Sequence, residues 1–112
     1  MLILIIGSAP DAIEAQSLEE ALFQRIVTIN NAWNIRNDWD FCIFPDDFPD
    51  NRRPTGNKAQ KLIRSEQYVP IQNKYGGFVY SGGTMAFTAG YWALGHFKPK
   101  AIAYIGCDMI YD

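Results

Sequence analysis

The chain has 112 residues, a formal net charge of -2 and no global excess of basic residues, which removes the broad positive field that nucleic acids and anionic membranes require. The length suits one domain, residues 1–112, able to bury about 65% of the surface its unfolded form exposes. Cys42 and Cys107 each sit inside an apolar run without CxxC spacing or a histidine partner, so buried, reduced thiols in a cytoplasmic protein are expected rather than a disulfide or a metal pair.

The chain begins with five apolar residues, Leu2 to Ile6, cut off by Gly7-Ser8-Ala9-Pro10-Asp11. A signal peptide needs a basic start and a longer apolar stretch, yet the first basic residue is Arg25. A membrane span needs about 20 apolar residues. The run therefore reads as a strand buried on both faces. From Ser8 to about Phe23 the pattern is partly helical. Ser8 and Asp11 are placed for a capping box, and Ala15, Leu18 and Leu22 fall on one face.

Ile26–Ile29 reads as a second strand ending in Asn30-Asn31, followed by a link too short for a regular helix. Phe41–Phe44 reads as a third strand ending in Pro45-Asp46-Asp47. Residues 45–60, with Pro45, Pro49, Pro54 and Gly56, read as loop. Six of the ten basic residues lie between positions 51 and 74, opposed only by Glu66. Two readings stand: a solvated loop, or a segment that closes over an anionic ligand. Tyr68–Ile71 reads as a fourth strand, interrupted by Pro70.

After Ser81-Gly82-Gly83 comes the clearest helix, with Ala86, Ala89, Gly90 and Ala93 at helical spacing and a stop near Gly95. Ala101–Ile105 reads as the last strand, ending in Gly106-Cys107-Asp108. Strands alternating with crossing segments give an α/β three-layer sandwich with a mainly parallel sheet of about five strands.

In open parallel sheets, ligands bind outside the carboxyl ends of the strands. Applied here, that rule gathers Gly7, Ser8, Ala9 and Pro10, then Asn30 and Asn31, then Asp46, and finally Asp108. Ser81, Gly82 and Gly83 join them, because they lead into a helix start. A helix N-terminus favours an anion by about 0.3–1 kcal/mol, the two asparagines offer donors and acceptors, and Asp46 and Asp108 suit Mg²⁺ held between carboxylates and phosphate. A nucleotide fits this set. His96, the sole histidine, follows a helix that returns toward the opposite edge and is excluded from it. Of the tryptophans, Trp33 is nearest, since it follows the asparagine pair; aromatics in a small domain otherwise serve the core or a dimer interface.

Gly7-Ser8-Ala9-Pro10-Asp11 resembles the Gly-x-Gly-Pro-Ser turn of the Rossmann-like bacterial sialyltransferases and of the archaeal 6-hydroxymethylpterin diphosphokinase-like family. The Asn-bearing end of VTINNAW is similar to theirs. So is the run from Ser81-Gly82 through Ala93-Leu94-Gly95 to Gly106-Cys107-Asp108, which resembles a second shared block. The resemblance implies a Rossmann-like site in which Ser8 to Pro10, Asn30 or Asn31, and Ser81 with Gly82 hold a cytidine nucleotide sugar (a CMP-type ligand). In the diphosphokinase-like case the same edge holds ATP, Mg²⁺ and a pterin near Asp108. Ala9 stands where the family has its second glycine and Asp11 where it has serine. The sialyltransferase-like enzymes take a basic histidine from beyond the Gly-x-Asp block. The resemblance therefore implies nucleotide or nucleotide-sugar binding without independent catalysis, with Mg-ATP diphosphokinase-like transfer and a non-catalytic homodimeric module as alternatives.

Overall fold

A computed structural model describes residues 1–19, 22–54, 61–74 and 85–107. Five strands form one sheet: β1 (Leu2–Ile6), β2 (Arg25–Ile29), β3 (Phe41–Ile43), β4 (Lys61–Ile63) and β5 (Ala101–Ile105). The order is β4-β3-β2-β1-β5, and every neighbouring pair is parallel. The fold is α/β and Rossmann-like.

β1 lies near the middle of the sheet because its side chains are apolar on both faces. Ile3 and Ile5 point to one side, Leu4 and Ile6 to the other, and all are at most 1% exposed. Each such side chain contributes about 1.5–3 kcal/mol on burial. The first face is covered by α1 (Ser65–Lys74) and α2 (Met85–Phe97), through Tyr68, Met85, Ala86, Ala89, Trp92 and Ala93. On the second face lie 3-10 helices and loops, through Ala12, Ala15, Ala32, Trp39, Phe44 and Phe48. Connections from β1 through β4 step one way across the sheet on this second face. The return from β4 to β5 uses the first face, as uniformly right-handed crossovers require.

Four local expectations are corrected. The segment after β1 is a 3-10 helix, Pro10–Ser17, starting from Ala9 with no side-chain cap. Its buried residues, Ala12 and Ala15, recur at a spacing of three, because a 3-10 turn brings i and i+3 into line; Leu22 is exposed. Tyr68–Ile71 belongs to α1, and the fourth strand is Lys61–Ile63. The helix wins there because Gln67 accepts a bond from the Arg64 N–H at 2.7 Å, half of a capping box, and because helical spacing turns Tyr68 and Ile71 together onto the core. Finally, α2 runs past Gly95 to Phe97. It ends at Lys98, whose φ of 52° is left-handed, followed by Pro99. Phe97 extends the helix by packing on Trp92 and Phe41.

Candidate functional site at the carboxyl edge of the sheet

Because all five strands run the same way, the residues that follow them share one edge. In spatial order these are Arg64 and Ser65 after β4, Asp46 after β3, Asn30 and Asn31 after β2, Gly7 to Pro10 after β1, and Gly106 after β5. Ser81, Gly82, Gly83 and Asp108 lie outside the described residues.

The first turn is held by the last. The Gly7 N–H donates to the Ile105 carbonyl at 2.8 Å and the Ala9 N–H to the Gly106 carbonyl at 2.9 Å. A Cβ on Gly7 would collide with the Gly106 carbonyl and lie 2.7 Å from the Cys107 sulfur. Gly106 in turn has φ of 70° and lies against Ala12. Gly7 is thus required by contact between two turns. Two amides that a phosphate could have used are engaged within the protein, which leaves exposed Ser8 as the polar group of this turn.

Asn30 is the unusual residue of the edge. It ends β2 in the left-handed region, at φ of 55°. Its carbonyl accepts from the Cys42 thiol at 3.3 Å, and its side-chain Oδ1 is buried with no hydrogen-bond partner among the described residues. A buried acceptor that finds no partner costs about 1–3 kcal/mol, so this oxygen is placed to accept from a water or a ligand. Asn31 is exposed, and within the short 3-10 helix Asn30–Asn34 its carbonyl accepts from the Asn34 side-chain amide at 3.1 Å.

Beyond Asn30 the chain leaves β3 over one face and β4 over the other. Asp46 and Ser65, which follow these two strands, are joined by a 2.8 Å bond from the Ser65 hydroxyl to Asp46 Oδ2. Arg53 fastens the loop after β3. It donates to the Phe48 and Asp46 carbonyls, pairs with Asp50 at 3.0 Å and lies 4.6 Å over the Phe44 ring. Arg64 reaches the same ring at 5.8 Å and is exposed. Within the basic stretch, Arg53 therefore serves its own loop, and Arg64 directly follows β4 at the edge. Trp33 is tied to that loop too, its indole N–H donating to the Arg52 carbonyl at 2.8 Å.

Arg64, one of the basic residues of the 51–74 segment, and Ser65 come to the edge because β4 ends at Ile63, earlier in the chain than a fourth strand at Tyr68–Ile71 implies. The Arg64-x-x-Gln67 spacing of a helix start is the signal that marks them. Among the described residues, no group of three or more His, Cys, Asp or Glu is arranged to hold a metal ion.

His96 stands at the other end of the sheet, stacked on Trp92 at 4.9 Å and beside Phe41, the first residue of β3. Both cysteines are free, and burial raises the Cys42 thiol to about 11. No described helix is long and apolar enough to cross a membrane. Compared with models of known families, with curated proteins and with solved structures, the chain matches none.

Proposed function

We propose that the carboxyl edge binds a nucleotide or nucleotide sugar, in the manner of the sialyltransferase-like glycosyltransferases that the sequence resembles and without independent catalysis. The observation that carries this reading is the buried Oδ1 of Asn30 at that edge, unpartnered among the described residues. It offers an acceptor to a ligand N–H or O–H, with Ser8 on one side and Asp46 with Ser65 on the other. Gly7, Ala9 and Pro10 shape the turn beside it, Asn31 adds an exposed amide, and the Ser81-Gly82-Gly83 segment leads toward the start of α2. A cytidine base suits this set, since its exocyclic amine donates and its ring carbonyl accepts.

A second reading, diphosphokinase-like transfer from Mg-ATP, draws on a different observation. Asp46 and Arg64 follow the adjacent strands β3 and β4 at the carboxyl edge, and such chemistry rests on positioning and charge, with no histidine needed. There Asp46 and Asp108 would hold Mg²⁺ together with the phosphates.

Thermal shift with CMP, CTP, ATP and GTP, each with and without Mg²⁺, separates the two. A ligand at 100 times its dissociation constant adds about 2.7 kcal/mol of stability. Stabilisation by cytidine nucleotides without Mg²⁺ supports the first reading, and Mg²⁺-dependent stabilisation by ATP the second. No shift with any nucleotide refutes both and leaves a non-catalytic module.

A further inference from the structure

The net charge of -2 belongs to the chain as a whole, and the fold divides it. The amino edge of the sheet gathers the strand starts and the end of α2. Exposed Lys61 opens β4, exposed Arg25 opens β2, and exposed Lys98 and Lys100 lie between α2 and β5. Side chains alternate along a strand, so Lys61 shares the first face with Ile63, and Arg25 with Val27. Lys98 directly follows Phe97, and the Lys100 N–H donates to the Met1 carbonyl at 3.0 Å. The described carboxylates near this edge belong to the second face. Asp38 is paired with Arg36, which bonds the Ala15 and Leu18 carbonyls there. Asp40 shares that face with Cys42 by the same alternation, and accepts from the Ile26 N–H at 2.8 Å. Glu19 follows Leu18, which packs on the second face too. Among the described residues, the first-face side of the amino edge therefore carries cations and no carboxylate.

A stack of rings stands among these cations. Trp92 is buried, and His96, one helical turn on, lies nearly parallel to it, at 15° and 4.9 Å. Phe41 and Phe97 hold both rings from the side, edge to face. His96 itself is exposed, so a stack that begins in the core ends at the surface in an aromatic ring. Lys61 pairs in register with Phe41 on one side of it, and Lys98 lies two residues beyond His96 on the other.

We propose that this edge binds a short single strand of nucleic acid, one base stacking on His96 and the phosphates beside it meeting Lys61, Lys98 and Lys100. Single-strand sites combine cations that track the backbone with rings on which bases stack, and both stand here together. The ring selects this partner among anions. An unpaired base offers a π-face to His96, which the carboxylates of an acidic peptide lack. Phe41, Trp92 and Phe97 are locked edge to face in the core, so they are not free to insert into a membrane surface. The distance from β4 to β5 is four strand spacings, on the order of 19 Å. That accommodates a few nucleotides, without the broad positive field that a long polyanion requires. The site lies at the opposite edge from the proposed nucleotide pocket and does not depend on it.

Fluorescence anisotropy of the full chain with labelled oligouridylate and oligothymidylate of about eight nucleotides tests this. Affinity should fall about 20-fold between about 50 and about 200 mM salt, as three phosphate contacts on a single strand give. Lys98→Gly keeps the left-handed backbone at that position, where φ is 52°. It should weaken binding and reduce the log–log salt slope by about 0.7. Arg52→Ala removes an exposed charge from the loop after β3 and should do neither. His96→Ala should cost at least about fivefold with the salt slope unchanged, and His96→Phe should restore the affinity. Circular dichroism confirms that each variant is folded, and Lys98→Gly keeps the test decisive where His96→Ala is not. No binding at about 100 µM protein overturns the proposal. So does an equal loss in Lys98→Gly and Arg52→Ala, which means that charge is read without place, or a His96→Phe variant as weak as His96→Ala. Polyglutamate or phosphatidylserine vesicles bound as tightly as the oligonucleotides also overturn it, in favour of an acidic protein or a membrane surface.

Discussion

Replacing Arg36 with methionine should unfold the protein at a much lower temperature, although Arg36 lies outside every proposed site. Its side chain is 9% exposed and makes four bonds to Asp38, Ala15 and Leu18. Nε and Nη2 grip the Asp38 carboxylate at 2.8 and 2.7 Å, while Nη1 donates to the Ala15 and Leu18 carbonyls at 2.8 and 2.7 Å. Those two carbonyls end the 3-10 helix that supports the first turn of the carboxyl edge. Methionine fills the volume but donates nothing. The Leu18 carbonyl, left unpaired, costs about 1–3 kcal/mol, while the Ala15 carbonyl keeps the Leu18 N–H at 3.2 Å. Asp38, with its side chain 25% exposed, can hydrate, which keeps the loss below the 3–5 kcal/mol typical of a broken, fully buried pair. The expected loss is about 2 kcal/mol, or on the order of 8 °C in melting temperature for a domain of this size. Urea unfolding followed by circular dichroism measures it.

The effect should also depend on pH. The hydrogen bond and charge of Arg36 hold the Asp38 carboxyl below its ordinary value of 3.8. A carboxyl whose folded value is depressed stabilises the fold above the unfolded value, and that contribution fades as pH falls through the folded one. The gap between wild type and Arg36→Met should therefore narrow below about pH 3.8. Arg36→Lys should recover less than half of the loss, because an ammonium cannot reproduce the planar fork. A loss under about 1 kcal/mol at pH 7, unchanged on acidification, would mean that water satisfies these carbonyls and that Arg36 does not brace the edge.

Asn30→Gly tests the edge itself. Glycine keeps the left-handed conformation and deletes the orphan acceptor, so stability should rise by about 1 kcal/mol in urea unfolding, while nucleotide-induced thermal shifts shrink; unchanged shifts would remove Asn30 from the site. Gly7→Ala should lower stability by at least about 2 kcal/mol, because the added methyl meets backbone at Gly106 rather than a movable side chain; a change under 0.5 kcal/mol in the same assay would mean the turns separate at little cost, on the scale of an ordinary surface substitution, about 0.5 kcal/mol. Lys98→Gly should raise the melting temperature by a few degrees, since it relieves a left-handed lysine at the end of α2, and calorimetry showing a decrease would contradict that backbone reading.

The sequence by itself determined the parallel α/β plan. Leu2–Ile6 is apolar at every position, and only a strand covered on both faces uses such a run, so β1, the Asn30-Asn31 end of β2 and the Gly106 end of β5 were legible as neighbours on one edge. What it left undecided were the pieces whose conformation depends on distant partners. Lys61–Ile63 is too short and too polar to announce itself, and becomes a strand because β3 offers it a free edge. Tyr68–Ile71 looks extended until a helix start at Arg64–Gln67 and a core contact claim it. The 3-10 helix after β1 ends where Arg36, some twenty residues on, caps its carbonyls. Only the tertiary structure brings Ser65 to Asp46 and leaves Asn30 Oδ1 buried without a partner among the described residues. Hydrophobic patterning is written locally in the chain, whereas the pairing of individual polar atoms depends on which elements meet in space.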